Sequence, residues 1–466
     1  MSFYIITEFI FIKLKQFIMH NIDLYKILGF SLNNQQKNAI EMLEDFCNKD
    51  NQDDAFILKG SAGTGKTSIV KALTTILFKK RVATKICAPT ARAANIISNK
   101  TSHLSKTIHS EIYFPFSIEN GGVEMIRKDN QSNEYTVFII DESSMISNRI
   151  NNSNDFIVSR PLLEELIDYV KQGNNKNKLI FIGDKFQLPP IKETTSPALS
   201  KNFLEKFFSI KAKEYELTKV MRQGEGCKVL SLATEVRDNM IEGRSTAKNL
   251  DIDRSYFSTG AMLEYLKFYN PDKIDAITMI CASNKNVDNW NRWIREKLGF
   301  YNHFLNIGEF IITQENWINS KGEFIYKGEF GKVISIDNNI KEYAGVHFVN
   351  VEIEFPTSEG SSKIISAKIL VEAINTTYGK LSVDKESVLY AQVMKQNKKF
   401  RESLNKSDDK YLGAMRLKYA YAITCHKAQG GEWDNVLIHP WRLGTDLSWT
   451  YTAITRARNH VFSYAS

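Results

Sequence analysis

The string Gly60-Ser61-Ala62-Gly63-Thr64-Gly65-Lys66-Thr67 constrains this chain more than any other segment. An apolar run ends at Leu58 just before it. Just after it, residues 67–78 carry Ile69, Val70, Leu73, Ile76 and Leu77 on one helical face. A strand, a glycine-rich turn and a helix in that order form a cradle for phosphate. The glycines bring backbone N–H groups close to phosphate oxygens, and the helix N-terminus adds positive potential. Lys66 is expected to reach the β- and γ-phosphates of a nucleotide, and Thr67 to ligate Mg²⁺.

The surrounding pattern predicts an α/β fold. Residues 55–58, 83–88, 137–140 and 179–182 are continuous apolar runs separated by helical stretches. They lack the alternation of a half-exposed strand, so they predict a parallel sheet covered on both faces. Run 137–140 delivers Asp141 and Glu142 to the carboxyl edge of that sheet, where ligands bind. Asp141 is expected to hold Mg²⁺, and Glu142 to polarise an attacking water. A second unit is predicted from strands at 277–281, 419–423 and 436–439 and helices at 286–298 and 447–455. Residues 113–135 predict a hairpin inserted in the first unit. Residues 300–405 predict a small antiparallel insertion in the second, and the basic stretch 395–418 predicts a helix. The expected division is an N-terminal extension (1–26), a first domain (27–215, with its insertion at about 112–135) and a second domain (216–466, with its insertion at about 300–405).

Composition narrows the function classes. The net charge of +8 over 466 residues permits a nucleic-acid groove without demanding one. Cys47, Cys87, Cys227, Cys281 and Cys425 are widely spaced, with no CxxC pair. That argues against a disulfide framework and a cysteine zinc site, and suits a reducing, cytoplasmic setting. The apolar stretch 3–12 is too short to span a bilayer, which takes ~20 residues, and its lysines follow rather than precede it. The expectation is a loosely attached extension without membrane association, with Met19 as an alternative start.

Eight segments occur in an order that resembles the superfamily 1 DNA helicases. They are GSAGTGKT, APTARAA (88–94), TIHS (107–110), DESS (141–144), GDKFQLPP (183–190), LTKVMRQ (217–223), ITCHKAQGGEWD (423–434) and YTAITRAR (451–458). The likeness is to the superfamily 1B branch, RecD-like and Dda-like, and runs from about residue 32 to 460. It implies two RecA-like P-loop motor domains, with a Src-homology-3-like barrel as the second insertion. It implies ATP and Mg²⁺ as cofactors, a monomer, 5′→3′ movement, and single-stranded and forked duplex DNA as partners. Replication, repair or recombination proteins would be further partners.

Site roles follow from the same resemblance. Gln36 matches the residue that reads adenine. Gln187 matches the γ-phosphate sensor. Arg222 and Arg456 match two arginines reaching across the cleft, and Glu432 a ribose contact. Thr90, Arg92, His109, Asn284, Thr424 and His426 match a DNA track of phosphate contacts, which set position without reading sequence. Phe114 and Phe116, in the first insertion, are candidates for the wedge that splits a duplex. Trp290 and Trp293, at i and i+3, are expected in the core. Two other readings stay open: a P-loop ATPase acting on a protein or small molecule, and a nucleic-acid-binding module with a decayed motor.

Overall fold

The computed structural model describes residues 28–117, 123–150, 156–221, 228–247, 250–301, 304–319, 321–337, 339–357 and 361–465. The extension 1–26, Cys227 and Arg222 therefore lie outside the described residues.

The first unit is a six-stranded parallel sheet. Its order is Ser105–Thr107, Ala83–Ala88, Thr136–Ile140, Lys178–Gly183, Ala55–Gly60 and Ala212–Leu217. The continuous apolar runs have a direct consequence here. Phe56, Leu58, Val137, Ile139, Ile180 and Ile182 enter one core, while Ala55, Ile57, Phe138, Ile140, Leu179 and Phe181 enter a second core on the opposite face. Alternate residues point to opposite faces of a strand, so a sheet covered on both sides needs apolar residues at every position. The helices Asn34–Phe46 and Lys66–Lys79 cover one face, and Leu162–Gly173 and Lys201–Phe208 the other. Residues 113–135 contain the expected hairpin, Tyr113–Ser117 antiparallel to Val123–Arg127, and Phe156–Ile157 adds a third strand.

The second unit is a parallel sheet in the order Asp253–Ser255, Ala457–Tyr464, Trp433–Ile438, Ile277–Cys281 and Ala422–Thr424. Helix Asn284–Lys297 packs against it through Val287, Trp290 and Ile294. Trp290 is buried, with its ring 5.0 Å from Trp293 and 5.6 Å from Tyr464, as core packing requires. An antiparallel sheet follows, built on Phe310–Thr313, Phe330–Ile336, Lys341–Tyr343, Val346–Pro356 and Ser362–Leu370.

Two expectations need correction. The strand at 419–423 is two strands in two sheets. Leu417–Tyr419 pairs antiparallel with Phe310–Thr313, and Ala422–Thr424 pairs parallel with Ile277–Cys281. The buried Tyr421 marks the crossing between them. The basic stretch 395–418 is not one helix. Helix Val383–Gln396 ends there, Lys398–Ser403 makes a short second helix, and Leu404 closes it with a left-handed backbone. Further on, Gly413 lies so close to the carbonyls of Lys406 and Asp409 that a Cβ would stand 2.6 and 2.8 Å from them. Among the described residues no helix is long and apolar enough to cross a membrane.

One buried ion pair ties helix Asn284–Lys297 to the antiparallel sheet. Arg295 Nε and Nη2 donate to Glu309 Oε1 and Oε2 at 2.5 and 2.9 Å, and Asn306 N also donates to Oε2 at 2.8 Å. Both side chains are almost wholly excluded from water. Removing one partner strands the other charge in a dry site, at a cost of about 3–5 kcal/mol. Glu309→Ala is therefore expected to lower stability by about that much, read as a fall in the thermal unfolding temperature; an unchanged transition would contradict the role given to this pair.

Candidate nucleotide cleft

Strand Ala55–Gly60 is buried along most of its length and ends in the glycine-rich turn. Gly65 has φ 88° and is the N-cap of helix Lys66–Lys79, with no side chain capping that helix. At that φ any other residue would be strained, and its Cβ would also have to displace the Gln36 amide, whose Nε2 lies 2.3 Å from the position. The uncapped N–H groups leave an anion-binding end open. Lys66 folds back, Nζ donating to the carbonyls of Gly60 and Ser61 at 2.6 and 3.1 Å. Thr64 Oγ1 donates to Ser61 O at 2.8 Å and stiffens the turn.

This turn opens into a cavity of about 740 Å³. Ala62, Gly63, Gly65, Lys66, Thr67, Asp141, Glu142, Gln187 and Gln36 line it from the first unit, and Glu432 and Arg456 from the second. Asp141 N is held by Cys87 O at 2.9 Å, at the end of its strand. Burial and then the neighbouring Glu142 push the Asp141 carboxyl upward from its ordinary value. Glu142 itself has φ 50°, a conformation rare for a residue with a Cβ. Gln187 Oε1 is buried without a partner. Arg456 is buried, and its three hydrogen bonds go to Thr452 O, Gly431 O and Thr455 Oγ1, none to a carboxylate.

Other expected site residues are already engaged. Gln36 Oε1 accepts from Asn33 N at 3.0 Å, while Gln36 N donates to Asn33 Oδ1, a capping box on helix Asn34–Phe46. Its Nε2 donates to Thr64 O at 3.0 Å. The Glu432 carboxylate takes Lys100 Nζ at 2.8 and 2.7 Å and Arg458 Nε at 3.4 Å. Burial alone would raise this carboxyl, but Lys100, Arg458 and Arg456 hold it down at about 2. Arg222 is not described. The segment before it runs along the first unit, with Met221 N donating to Gly63 O at 2.9 Å and Thr218 N to Gln35 Oε1 at 3.1 Å.

The residues expected along a nucleic-acid track fall in three places. Thr90 and Arg92 lie at the seam between the units. Thr90 caps helix Ala91–Thr101 by accepting from Ala93 N. Arg92 stacks 3.9 Å from the Trp433 ring and 4.6 Å from Phe330, and its Nη2 donates to Glu432 O at 2.9 Å. Its guanidinium is thus committed across the seam, and burial lowers its pKa to about 10. Asn284, Thr424 and His426 follow strands at the carboxyl edge of the second sheet. His109 packs on Tyr113 at 5.6 Å, and burial lowers its pKa to about 4. Phe114 is exposed on its hairpin strand, with Lys128 Nζ 4.8 Å from the ring; Phe116 lies on the same strand.

Sequence reasoning missed the residues that join the units. Tyr451 OH accepts from the P-loop amide Ala62 N at 2.8 Å and donates to the buried Asp184 Oδ2 at 2.6 Å. Leu188 N donates to Thr452 Oγ1 at 2.8 Å, and Gln429 Nε2 to Leu188 O at 2.7 Å. Arg237 Nη1 donates to Ser61 Oγ at 3.2 Å. Tyr451 and Asp184 lie inside recognisable segments, but their roles exist only once segments 267 residues apart meet.

Two family models match the chain: the AAA domain over residues 31–254 and the UvrD-like helicase C-terminal domain over residues 419–463. The ATP-dependent DNA helicase dda of Enterobacteria phage T4 is 23% identical over 445 residues, covering 87% of this chain and 93% of the phage protein. The ATP-dependent RecD2 DNA helicase of Deinococcus radiodurans is 21% identical over 438 residues, covering 88% of this chain and 47% of that protein. An uncharacterized protein of Methanocaldococcus jannaschii is 26% identical over 455 residues, covering 87% of this chain and 36% of its own length. The chain thus spans less than half the length of two of these three relatives. An AAA-domain match over residues 31–254, a UvrD-like helicase C-terminal match over 419–463 and similarity to the dda and RecD2 helicases along most of the chain are together consistent with a superfamily 1B helicase.

Proposed function

We propose that this chain is an ATP-driven single-stranded DNA translocase and helicase that moves 5′→3′ and hydrolyses ATP between its two units. One observation carries the reading: Lys66, Asp141, Glu142 and Gln187 from one unit face Arg456 from the other across a single cavity. The donor set fits a nucleotide triphosphate with Mg²⁺. The helix N-terminus is uncapped, the Gln187 carbonyl oxygen is orphaned, and Arg456 lacks an anionic partner. Thr67 and Asp141 are the residues to hold Mg²⁺, which when bound would neutralise charge on the β- and γ-phosphates.

The division of labour follows from the side chains. Lys66 exchanges its two backbone carbonyls for phosphate oxygens. Glu142 orients the attacking water. Gln187 donates from Nε2 to the terminal phosphate while its unpaired Oε1 accepts from the attacking water, and Arg456 stabilises charge on the transferring group. Arg222 is the second arginine in this reading. Hydrolysis then requires both units in place, so opening of the seam after turnover alternates the grip on the strand. The polarity and the DNA track rest on the resemblance to superfamily 1B.

Three outcomes test this reading. Lys66→Ala is expected to abolish ATP hydrolysis and unwinding while single-stranded DNA still binds; full turnover in that variant would remove the site. Arg456→Ala is expected to lower kcat by about 10³-fold or more. Unwinding is expected on substrates with a 5′ overhang and not on those with a 3′ overhang. An ATPase indifferent to single-stranded DNA would instead favour a non-nucleic-acid substrate.

The Tyr451 bridge generates a further expectation. Tyr451→Phe keeps the ring against Phe186 but strips a partner from a P-loop amide and from a buried carboxylate. A group left unsatisfied in this way costs about 1–3 kcal/mol. DNA-stimulated kcat is expected to fall by about tenfold, corresponding to ~1.4 kcal/mol, and fluorescent labels on the two units to report a more open pair. An unchanged kcat and label distance would deny Tyr451 this role.

A further inference from the structure

Trp441 stands apart from the other tryptophans. It is 60% exposed, whereas Trp290, Trp317, Trp433 and Trp449 are all buried. Exposure of one apolar side chain needs no explanation by itself. Its mounting does. Trp441 follows strand Trp433–Ile438 at the carboxyl edge of the second parallel sheet, the edge from which Asn284, Thr424 and His426 emerge. Trp441 N donates to His439 Nδ1 at 3.2 Å. The other ring nitrogen of His439 is 2.9 Å from Asn286 Nδ2, in the first turn of the helix that Asn284 opens. The His439 ring also packs edge-on against Tyr464 at 5.7 Å. Pro440 fixes the backbone between them. The backbone that carries Trp441 is therefore anchored, and the indole projects from it into solvent.

Its neighbour adds charge. Arg442 is half-exposed, and its contact with Asp446 is long, at 3.4 Å. Its cation acts on His426. An exposed aromatic face, a loosely paired guanidinium and three short polar track residues thus share one edge of one sheet. An aromatic face stacks on any base, and a neighbouring cation takes the adjoining phosphate.

We propose that Trp441 is a base-stacking platform for single-stranded DNA on the second unit, with Arg442 contacting the neighbouring phosphate. This rests on the translocase reading, but the contact lies outside the residues to which the family motifs give a role. It also differs in kind from the track residues, which grip the backbone, because it holds a base and tolerates every sequence.

Intrinsic fluorescence of the full chain tests it, with an oligodeoxythymidine as the probe. Binding is expected to quench the exposed indole in the unaltered chain. W441A is expected to lose most of the quench and to bind the probe about 5- to 100-fold more weakly, with DNA-free ATPase unchanged. W441F loses the same quench but is expected to retain most of the affinity, because a phenyl ring still stacks. R442Q is expected to reduce the salt dependence of binding. If W441A binds and quenches like the unaltered chain while the probe still stimulates ATPase, the platform is wrong and the translocase reading stands. If the unaltered chain neither binds the probe nor is stimulated by it, both fall.

Discussion

One phenol oxygen ties the second half of this molecule to both the P-loop backbone and a buried carboxylate of the first. Tyr451, on helix Leu447–Ile454 of the second unit, accepts from the P-loop backbone and donates to Asp184 of the first. Around it the seam is mostly polar: Thr452 and Gln429 on the backbone of Leu188, Lys100 on Glu432, Arg237 on Ser61. The large apolar cores stay mostly on their own sides: among the described residues Leu188 is the one buried first-unit residue in the second unit's core, with Ala62 and Phe186 partly buried against it. That division has a mechanical consequence. Hydrogen bonds weaken steeply with distance and angle, so a polar seam loses its hold over a small displacement. Its members can re-pair with water once exposed. A continuous apolar interface would resist opening in proportion to the whole area it covers.

The cations around the cavity fall into two classes by their partners. Lys100 and Arg458 are ion-paired, Lys100 with Glu432 and Arg458 with Asp275, Asp434 and, at 3.4 Å, Glu432, whose carboxyl is held near 2. Lys66 and Arg456 have only carbonyl and hydroxyl oxygens. Neutral acceptors satisfy their N–H groups without forming an ion pair, so each unit presents to the cavity a cation that no carboxylate hydrogen-bonds. An anionic ligand between them gains charge-assisted bonds to both without first breaking an ion pair. On the same wall, Asp141 is pushed toward its protonated form by burial and by Glu142, and a cation bound there would relieve that cost.

How much of this can be read from the chain depends on the range of the interaction. The first sheet is legible because burial on both faces writes apolar residues at every position of 55–58, 137–140 and 179–182, and the P-loop is legible because its chemistry is local. The run 419–423 defeats that reasoning because an apolar strand carries no mark of which sheet it joins. The basic stretch 395–418 defeats it because charge alone does not show where a helix stops. Arg92 is harder still. Only its stacking on Phe330 and Trp433 shows that its charge is spent at the seam, and those rings lie more than 200 residues away. Gln36 is a partial exception: the Asn33–Gln36 capping spacing is visible in the sequence, while its bond to Thr64 O is not.

The same long-range contacts couple the cleft to the edge of the second sheet, where the proposed DNA track lies. Helix Ala91–Thr101 is capped by Thr90, touches Glu432 through Arg92 near its start, and grips the Glu432 carboxylate through Lys100 near its end. Eleven residues of helix make a rod about 16 Å long. The opposing segment can lie against it only because it is glycine. A Cβ on Gly430 would meet Ala93 Cβ at 2.8 Å and Thr90 Oγ1 at 2.9 Å, and one on Gly431 would meet Arg92 Nε at 2.8 Å. Residues 430–432 continue directly from Thr424 and His426 at the carboxyl edge of the second sheet, and Arg456 donates back to Gly431 O. A shift of this glycine-bearing segment therefore moves three things together: the polar residues at the sheet edge, the Glu432 ion pair on the rod, and the carbonyl that holds Arg456 in the cleft. Because Gly430 and Gly431 lie directly against Thr90, Ala93 and Arg92 with no room for a Cβ between, that displacement is transmitted rather than absorbed.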